Sequence, residues 1–464
     1  MSMATEPHGA AARGVGPPRR GPLAPPRRGR RHVLAAVLLA AVLLLGPVPV
    51  LFDHWWYPAH YLTDVSVDYH YAHTLVAGLM PYRDFLPEYP PLSLWVTAIP
   101  ALSLSGHAVD FQTYQVRFAL EMFLLTALMA AVVVLIAARL WRETSRPYLA
   151  AVGCVVFVLA VGPLVENRFD VGVALINALV LLALVHRRLA VAALMVGVGC
   201  AFKITPIILL PLVVVLAGWN RRAVVACVLA LGVAAVGFLP YLFTATAGVG
   251  HVFAYQTRRP LEIESVLGLP VVVDHLLSGA RLYTAFSYHS RSLVGPHSAT
   301  MTRLSAPLAI LAVLGVSALL WRARAALRAR PGKVALGMLA LYLAFLCTDR
   351  VLSPQYLIWL VPLWAYWPMR RGWLAAAALT TVVFPFLFII QAKLTPYGFY
   401  PAAIGSVLRN LVLIVVTARW LREQVRARDV VVGPQLQRHY PTVDRVRASL
   451  GSVRYALRRT TGGL

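Results

Sequence analysis

The amino-acid sequence predicts an all-α polytopic membrane protein of about twelve transmembrane helices, with a long first outer loop carrying surface helices. Three observations lead there. The 464 residues are 59% hydrophobic and only 13% charged, against about 25% charged in a soluble domain. Apolar runs repeatedly approach the roughly 20 residues that cross about 30 Å of hydrocarbon. The net charge of +25 is concentrated in the two tails and in short gaps between those runs. That distribution matches juxtamembrane arginines held by an anionic cytoplasmic leaflet, not a nucleic-acid surface. Nucleic acid is therefore set aside as a partner, and membrane lipids are expected.

Residues 1–31 hold seven arginines among Pro and Gly and read as a disordered basic cytoplasmic tail. The run 32–52 has the charge order of a signal sequence. It is long for one and lacks a small-residue cleavage site, so it reads as an uncleaved first span. An outer segment, 53–110, follows; its proline-interrupted apolar stretch reads as a surface or re-entrant helix. Spans are then expected over 112–138, 147–165 and 169–186, with basic loops at Arg139–Arg146 and His186–Arg188. The run 189–219 lies between two basic markers and must cross an even number of times. It is divided at 202–206, FKITP, where a lysine and a proline interrupt the apolar sequence. A span over 223–245, a second outer segment over 246–303, and spans over 304–321, 334–348, 353–369, 372–391 and 402–420 complete the bundle, 32–421. The basic tail 422–464 is expected in the cytoplasm with the first tail, and the protein in the plasma membrane.

The chemistry concentrates in the outer segments. The first carries Asp64, Asp68, Asp84 and Glu88 among tyrosines, with Arg83 beside Asp84. Aromatic rings stack on sugar faces, and carboxylates accept hydroxyl hydrogen bonds or act as general bases. A solvated charge or the adjacent ion pair Arg83–Asp84 accounts for single residues equally well. The second segment carries Arg258, Arg259, Glu262 and Glu264; paired guanidinium groups beside a membrane are good phosphate ligands, or face lipid headgroups. Lys203, Arg168, Asp170 and the stretch Asp349–Tyr356 place further polar groups in or at the ends of spans, where charge is costly and tends to line cavities. The four cysteines, Cys154, Cys200, Cys227 and Cys347, read as small packing residues. Nucleotide-binding, zinc-protease and serine-hydrolase motifs are missing from the sequence.

Four stretches carry a family resemblance. GLMPYRDFLPEYPPL at 78–92 resembles the PYRDF-x-x-EYPP segment of polyprenyl-phosphate-dependent glycosyltransferases of family 87. FKITP at 202–206, RPLEIES at 259–265 and LSPQYLIW at 352–359 continue it in family order. The resemblance implies a type C glycosyltransferase fold and an alpha-mannosyltransferase-like activity. It implies a polyprenyl-phosphate-sugar donor and an aspartate early in the first outer loop as catalytic base. Asp64 matches that position, and Asp68 lies one helical turn on. Arg83, Asp84, Glu88, Tyr89, Lys203, Arg258, Arg259, Glu264, Gln355 and Tyr356 are the expected substrate-binding residues. The acceptor is expected to be a lipid or glycan on the outer face, and transfer to invert the anomeric centre. No cofactor or metal residue is assigned; an oxygen-ligand set for a divalent cation from Asp64, Asp68, Asp84 and Glu88 is left open. A transporter or lipid flippase is the alternative, distinguished by polar groups at the midplane on broken helices.

Overall fold

The computed structural model describes residues 27–53, 64–103, 109–141 and 143–366, with short stretches between 372 and 419. The expected span 372–391 falls largely outside these residues, and both expected tails do so except where the first helix begins at Arg27. The element order is α1 (Arg27–Leu45), α2 (Pro47–Asp53), α3 (Val65–Val76), α4 (Pro91–Ala98), α5 (Phe111–Leu140), α6 (Arg146–Val161), α7 (Asp170–Val185) and α8 (Leu189–Phe202). Then come α9 (Leu210–Ala217), α10 (Arg221–Leu242), α11 (Thr246–Arg258), α12 (Leu269–Ser278), β1 (Tyr283–Ser287) and β2 (Ser290–Val294). The order closes with α13 (Ser298–Arg322), α14 (Arg324–Ala329), α15 (Gly332–Thr348) and α16 (Val361–Trp364).

Among the described residues, five helices are long and apolar enough to cross a membrane: Gly29–Phe52, Phe111–Leu140, Arg146–Val165, Arg221–Leu242 and Ser298–Arg322. Four more expected spans are shorter. The helices α7, α8 and α15 have 16, 14 and 17 residues, and Thr205–Ala217 is shorter still. The expected span 353–369 is replaced by a 3-10 helix, Pro354–Leu360, running into the four-residue α16. Pro354 and Pro362 each remove a backbone donor there. The last expected span is described as a helix over Val407–Val416. The all-α expectation also needs correction. β1 and β2 form an antiparallel hairpin, with Ser287 opposite Ser290, and Glu262 bridges to Ser292 beside it.

Local chemistry explains where the elements start and stop. Asp110 caps α5, its carboxylate accepting from Thr113 N–H at 3.0 Å, and Asn220 caps α10 through Arg222 N–H at 2.8 Å. The expected division near Lys203 is present. The helix α8 ends at Phe202, and a 3-10 turn, Thr205–Leu209, leads into α9. Packing follows membrane rules, with small residues at close crossings: Gly197 of α8 lies against the Ala230 carbonyl of α10. The helix α7 is buried along most of its length. At its centre Asn177 donates to the Trp359 carbonyl at 3.1 Å and accepts from the Tyr342 hydroxyl at 2.7 Å. That trio ties α7 to α15 and to the 354–360 turn. The outer helices expose apolar side chains instead, such as Val228 on α10 and Leu311 on α13.

The two ends of the bundle differ. Basic turns gather at one: Arg187 donates to the Arg328 carbonyl at 3.0 Å, and Arg328 to the Leu216 carbonyl at 3.0 Å. The other end carries α3, α4, α11, α12 and the hairpin. There α11 rests on the loop 77–90. A Cβ on Gly248 would lie 1.7 Å from the Tyr82 carbonyl oxygen, so only glycine permits this approach. We therefore expect Gly248→Ala to cost about 1–3 kcal/mol by pushing backbone apart. Gly250→Ala, with nothing within 4 Å, should be no less stable than the parent. Thermal unfolding in detergent compares the two.

Candidate active site

The PYRDF stretch folds as a scaffold. Asp84 accepts from Met80 N–H at 2.8 Å and from Arg83 at 2.9 Å, and Tyr82 N–H donates to the Phe85 carbonyl at 2.8 Å. The Arg83 hydrogen bond, aided by Met80 N–H, draws the Asp84 carboxyl down to about 2. Tyr82 is buried, packed edge-on to Tyr241 at 4.9 Å, and its hydroxyl donates to the Tyr89 carbonyl at 2.7 Å. This turn and the Pro90–Pro91 start of α4 bracket a four-residue link, 86–89, that ends in Glu88 and Tyr89.

Those two residues border a cavity of ≈ 500 Å³ at the end of the bundle opposite the basic turns. Its acidic side is Asp64, at the N-terminus of α3, and Glu88. Asp64 is paired with Arg168 from the turn before α7. Glu88 is buried and accepts from the Tyr71 hydroxyl at 2.7 Å.

The cavity floor is Lys203. Its ammonium donates to Asp170 Oδ1 at 2.8 Å, and Trp359 Nε1 donates to the same oxygen at 2.6 Å. Four rings surround the ammonium: Phe169 and Tyr356 at 5.1 Å, Trp359 at 5.2 Å and Tyr89 at 5.6 Å. A buried cation among ring faces, held by a carboxylate, is a fixed charge and not a snorkelling one.

The opposite side is Arg259, Glu262 and Arg350. Arg350 closes the C-terminal end of α11 by donating to the Thr257 and Arg259 carbonyls at 2.9 and 3.3 Å, and its own carbonyl accepts from Glu262 N–H at 2.9 Å. Arg259 is mostly buried, with Nη2 3.8 Å from Glu262 and the guanidinium 5.8 Å from the Tyr255 ring. Among the described residues, its buried Nε lacks a hydrogen-bond partner, as does Gln355 Oε1. Both residues line the cavity, while those two atoms themselves are enclosed beside it. Burial raises the Glu262 carboxyl, against the pull of Arg259 and Arg409.

The structure thus brings together Asp64, Glu88, Tyr89, Lys203, Arg259, Gln355 and Tyr356 around one cavity. The other expected residues lie elsewhere. Arg83 and Asp84 pair with each other outside it, because both serve the 80–85 turn. Arg258, the last residue of α11, is exposed, and Arg259 follows just after the helix ends. Glu264 is buried below, with its carbonyl accepting from Arg409 and Asn410, and burial raises its carboxyl well above the usual range. Asp68 is buried away from the cavity, one turn along α3 from Asp64. Burial, with the charges of Glu88 and Asp170, raises its carboxyl well above the usual range. Asp64, Asp68, Asp84 and Glu88 are therefore not gathered as one ligand set, and no cluster of metal-ligating side chains occurs among the described residues. Arg168, Glu262 and Arg350, noted in the sequence without a substrate role, also line the cavity, as does the hairpin tip, Tyr288 and His289, which the sequence did not single out. A Tyr-His pair without glycine carries no sequence signal of a shared site.

The model of glycosyltransferase family 87 matches residues 85–348, more than half of the chain. The chain belongs to glycosyltransferase family 87. The match holds Glu88, Lys203 and Arg259 and begins after Asp64. No curated protein matches the chain. Among solved structures, it is similar to ArnT from Cupriavidus metallidurans bound to undecaprenyl phosphate. That likeness has 16% identity and a TM-score of 0.43, over 83% of this chain and 75% of that one. It is also similar to the Archaeoglobus fulgidus oligosaccharyltransferase in its apo form, at 14% identity and a TM-score of 0.41, over 89% of this chain and 60% of that one. Family membership sets aside the transporter or flippase reading: this family 87 chain is a glycosyltransferase.

The floor of its cavity makes a stability prediction. Lys203→Met leaves the Asp170 carboxylate buried without its cation and should cost about 3–5 kcal/mol. The double variant Asp170→Asn with Lys203→Met removes both charges and should cost less than the sum of the single changes. Additive costs in thermal unfolding would show the two groups to be uncoupled.

Proposed function

We propose that this chain transfers a hexose from a polyprenyl-phosphate carrier to a hydroxyl of a lipid or glycan acceptor, at the outer face of the plasma membrane, with inversion. The family resemblance names the hexose as mannose. One observation carries the reading: a single cavity sets an accessible carboxylate, Asp64, against a buried guanidinium, Arg259, whose Nε has no hydrogen-bond partner among the described residues.

In the step proposed, the acceptor oxygen bonds to the anomeric carbon as the bond from that carbon to the phosphate oxygen breaks. Asp64 takes the proton of the acceptor hydroxyl, and its charge offsets the positive charge developing on the sugar. Arg168, paired with Asp64, orients it. The polyprenyl phosphate leaves carrying the bonding electrons. Arg259 offers a planar fork to its oxygens, and Lys203 adds a fixed charge beneath. Glu88 and Gln355 hydrogen-bond sugar hydroxyls. The apolar sides of the outer helices leave room for the carrier's hydrocarbon to stay in the bilayer. The gathering of basic turns at the far end supports a cytoplasmic position for that end and for both termini, which turns the cavity outward.

Membranes carrying the protein, supplied with labelled polyprenyl-phosphate-mannose, test the chemistry. Asp64→Asn should lower the transfer rate about a hundredfold to ten-thousandfold. Asp68→Asn, which replaces a carboxyl turned from the cavity, should stay within a few-fold of the parent. Full activity in Asp64→Asn with loss in Glu88→Gln would move the base to Glu88. Arg259→Lys should raise the donor KM, since a point charge replaces a bidentate fork. An unchanged donor KM and kcat in Arg259→Ala would remove Arg259 from the phosphate site.

Orientation has its own test. Arg258 is exposed beside the cavity, and a cysteine placed there should react with a membrane-impermeant maleimide in intact cells. Reaction only after permeabilisation would turn the bundle over.

A further inference from the structure

The hairpin tip is built from residues its turn does not favour. Tyr288 and His289 are the two central residues of a two-residue connection, and both have φ of +52°. Such turns prefer Asn-Gly or Asp-Gly, because a bulky side chain with positive φ is strained. Strain kept at a cavity wall points to what the side chains do there. His289 Nε2 lies 4.0 Å from Glu88 Oε2. The Tyr288 ring meets Tyr255 edge-on at 5.0 Å, and Tyr255 in turn lies beneath Arg259. Phe286, on β1 just before the tip, also lines the cavity and leaves 64% of its surface exposed.

The base of the hairpin is firm. Leu293 is buried with Leu261, Ile263, Val271 and Val272. Ile263 N–H donates to the Arg291 carbonyl at 3.0 Å, and Leu293 N–H to the Leu261 carbonyl at 2.8 Å. The hairpin that carries Tyr288 and His289 at its tip is thereby registered, through β2, against the 259–263 segment that carries Arg259.

We propose that Tyr288, His289 and Phe286 form the acceptor subsite and that it receives a terminal pyranose, not the hydroxyl of a bare lipid alcohol. This rests on the glycosyltransferase reading above. The apolar face of a sugar ring stacks on an exposed aromatic ring, while His289 and Glu88 bond its hydroxyls from the edge. A simple aliphatic alcohol uses neither. The tip is then a specificity element, and Asp64 the group that meets the reacting hydroxyl.

The double variant Tyr288→Asn with His289→Gly tests it. These residues suit the turn, so the hairpin should form at least as readily and thermal stability should not fall. The donor is polyprenyl-phosphate-mannose, and the acceptors are octyl α-mannopyranoside and octan-1-ol. The parent should prefer the octyl mannoside. The double variant should lose about tenfold or more in kcat/KM for that acceptor, with the donor KM within about twofold of the parent. Unchanged kcat/KM for the octyl mannoside in a folded double variant would overturn the inference alone. So would a parent that uses octan-1-ol as well as the mannoside. A parent that transfers to neither acceptor nor to native membrane lipid would remove the glycosyltransferase reading and this inference with it.

Discussion

A protonated amine inside a helical bundle persists only where charge, hydrogen bonds and ring faces stand in for water. Lys203 has all three, and they come from separate stretches of chain. Asp170 opens α7, Phe169 precedes it, Tyr89 ends the first loop, and Tyr356 and Trp359 belong to the 354–360 turn. The ammonium is therefore a junction. Each stretch it gathers also supplies a cavity-lining residue: Arg168, Glu88, Gln355 and Lys203 itself. The polar trio of Asn177, Tyr342 and Trp359 repeats the device deeper in the bundle. Between them, these contacts explain how irregular backbone at 203–205 and 354–360 is held inside a helical membrane protein.

Much of this was legible in the sequence where a physical cost was visible. A lysine and a proline inside an apolar run announce a break, and the break is there. Its partner was not legible, because Asp170 lies 33 residues away and meets it only through the packing of α7 on α8. Arg83 and Asp84 looked like ligands because they sit amid the aromatic and acidic residues of the first loop. Adjacent opposite charges can satisfy each other, and these two do so while shaping a turn. Conversely, Glu262 was noted beside the expected residues and given no role, yet the Arg350 clasp draws it to the cavity. The hairpin was missed because its strands have only five residues each and its turn lacks glycine. Period-two patterning needs more residues than that to stand out.

That only five of the expected spans are full-length among the described residues has a physical source as well. Hydropathy counts apolar residues and assumes that each helix must match the hydrocarbon by itself. Helices such as α7 and α15 are enclosed by neighbours, so their ends meet protein groups and need not reach the headgroups. The long helices are mainly those with much of their surface exposed, α10 and α13 above all.

The short α8 has a further consequence. Its 14 residues rise about 21 Å against about 30 Å of hydrocarbon, so α8 alone is roughly 9 Å too short to carry Lys203 from one boundary to the other. On the proposed function, the reacting centre is then sunk below the plane of the lipid phosphates, like the bottom of a well. Water reaches such a place at low density and competes poorly with a tethered hydroxyl for an activated sugar. In the reaction proposed, recession of the floor, set by the length of one helix, protects the glycosyl group from being wasted on solvent.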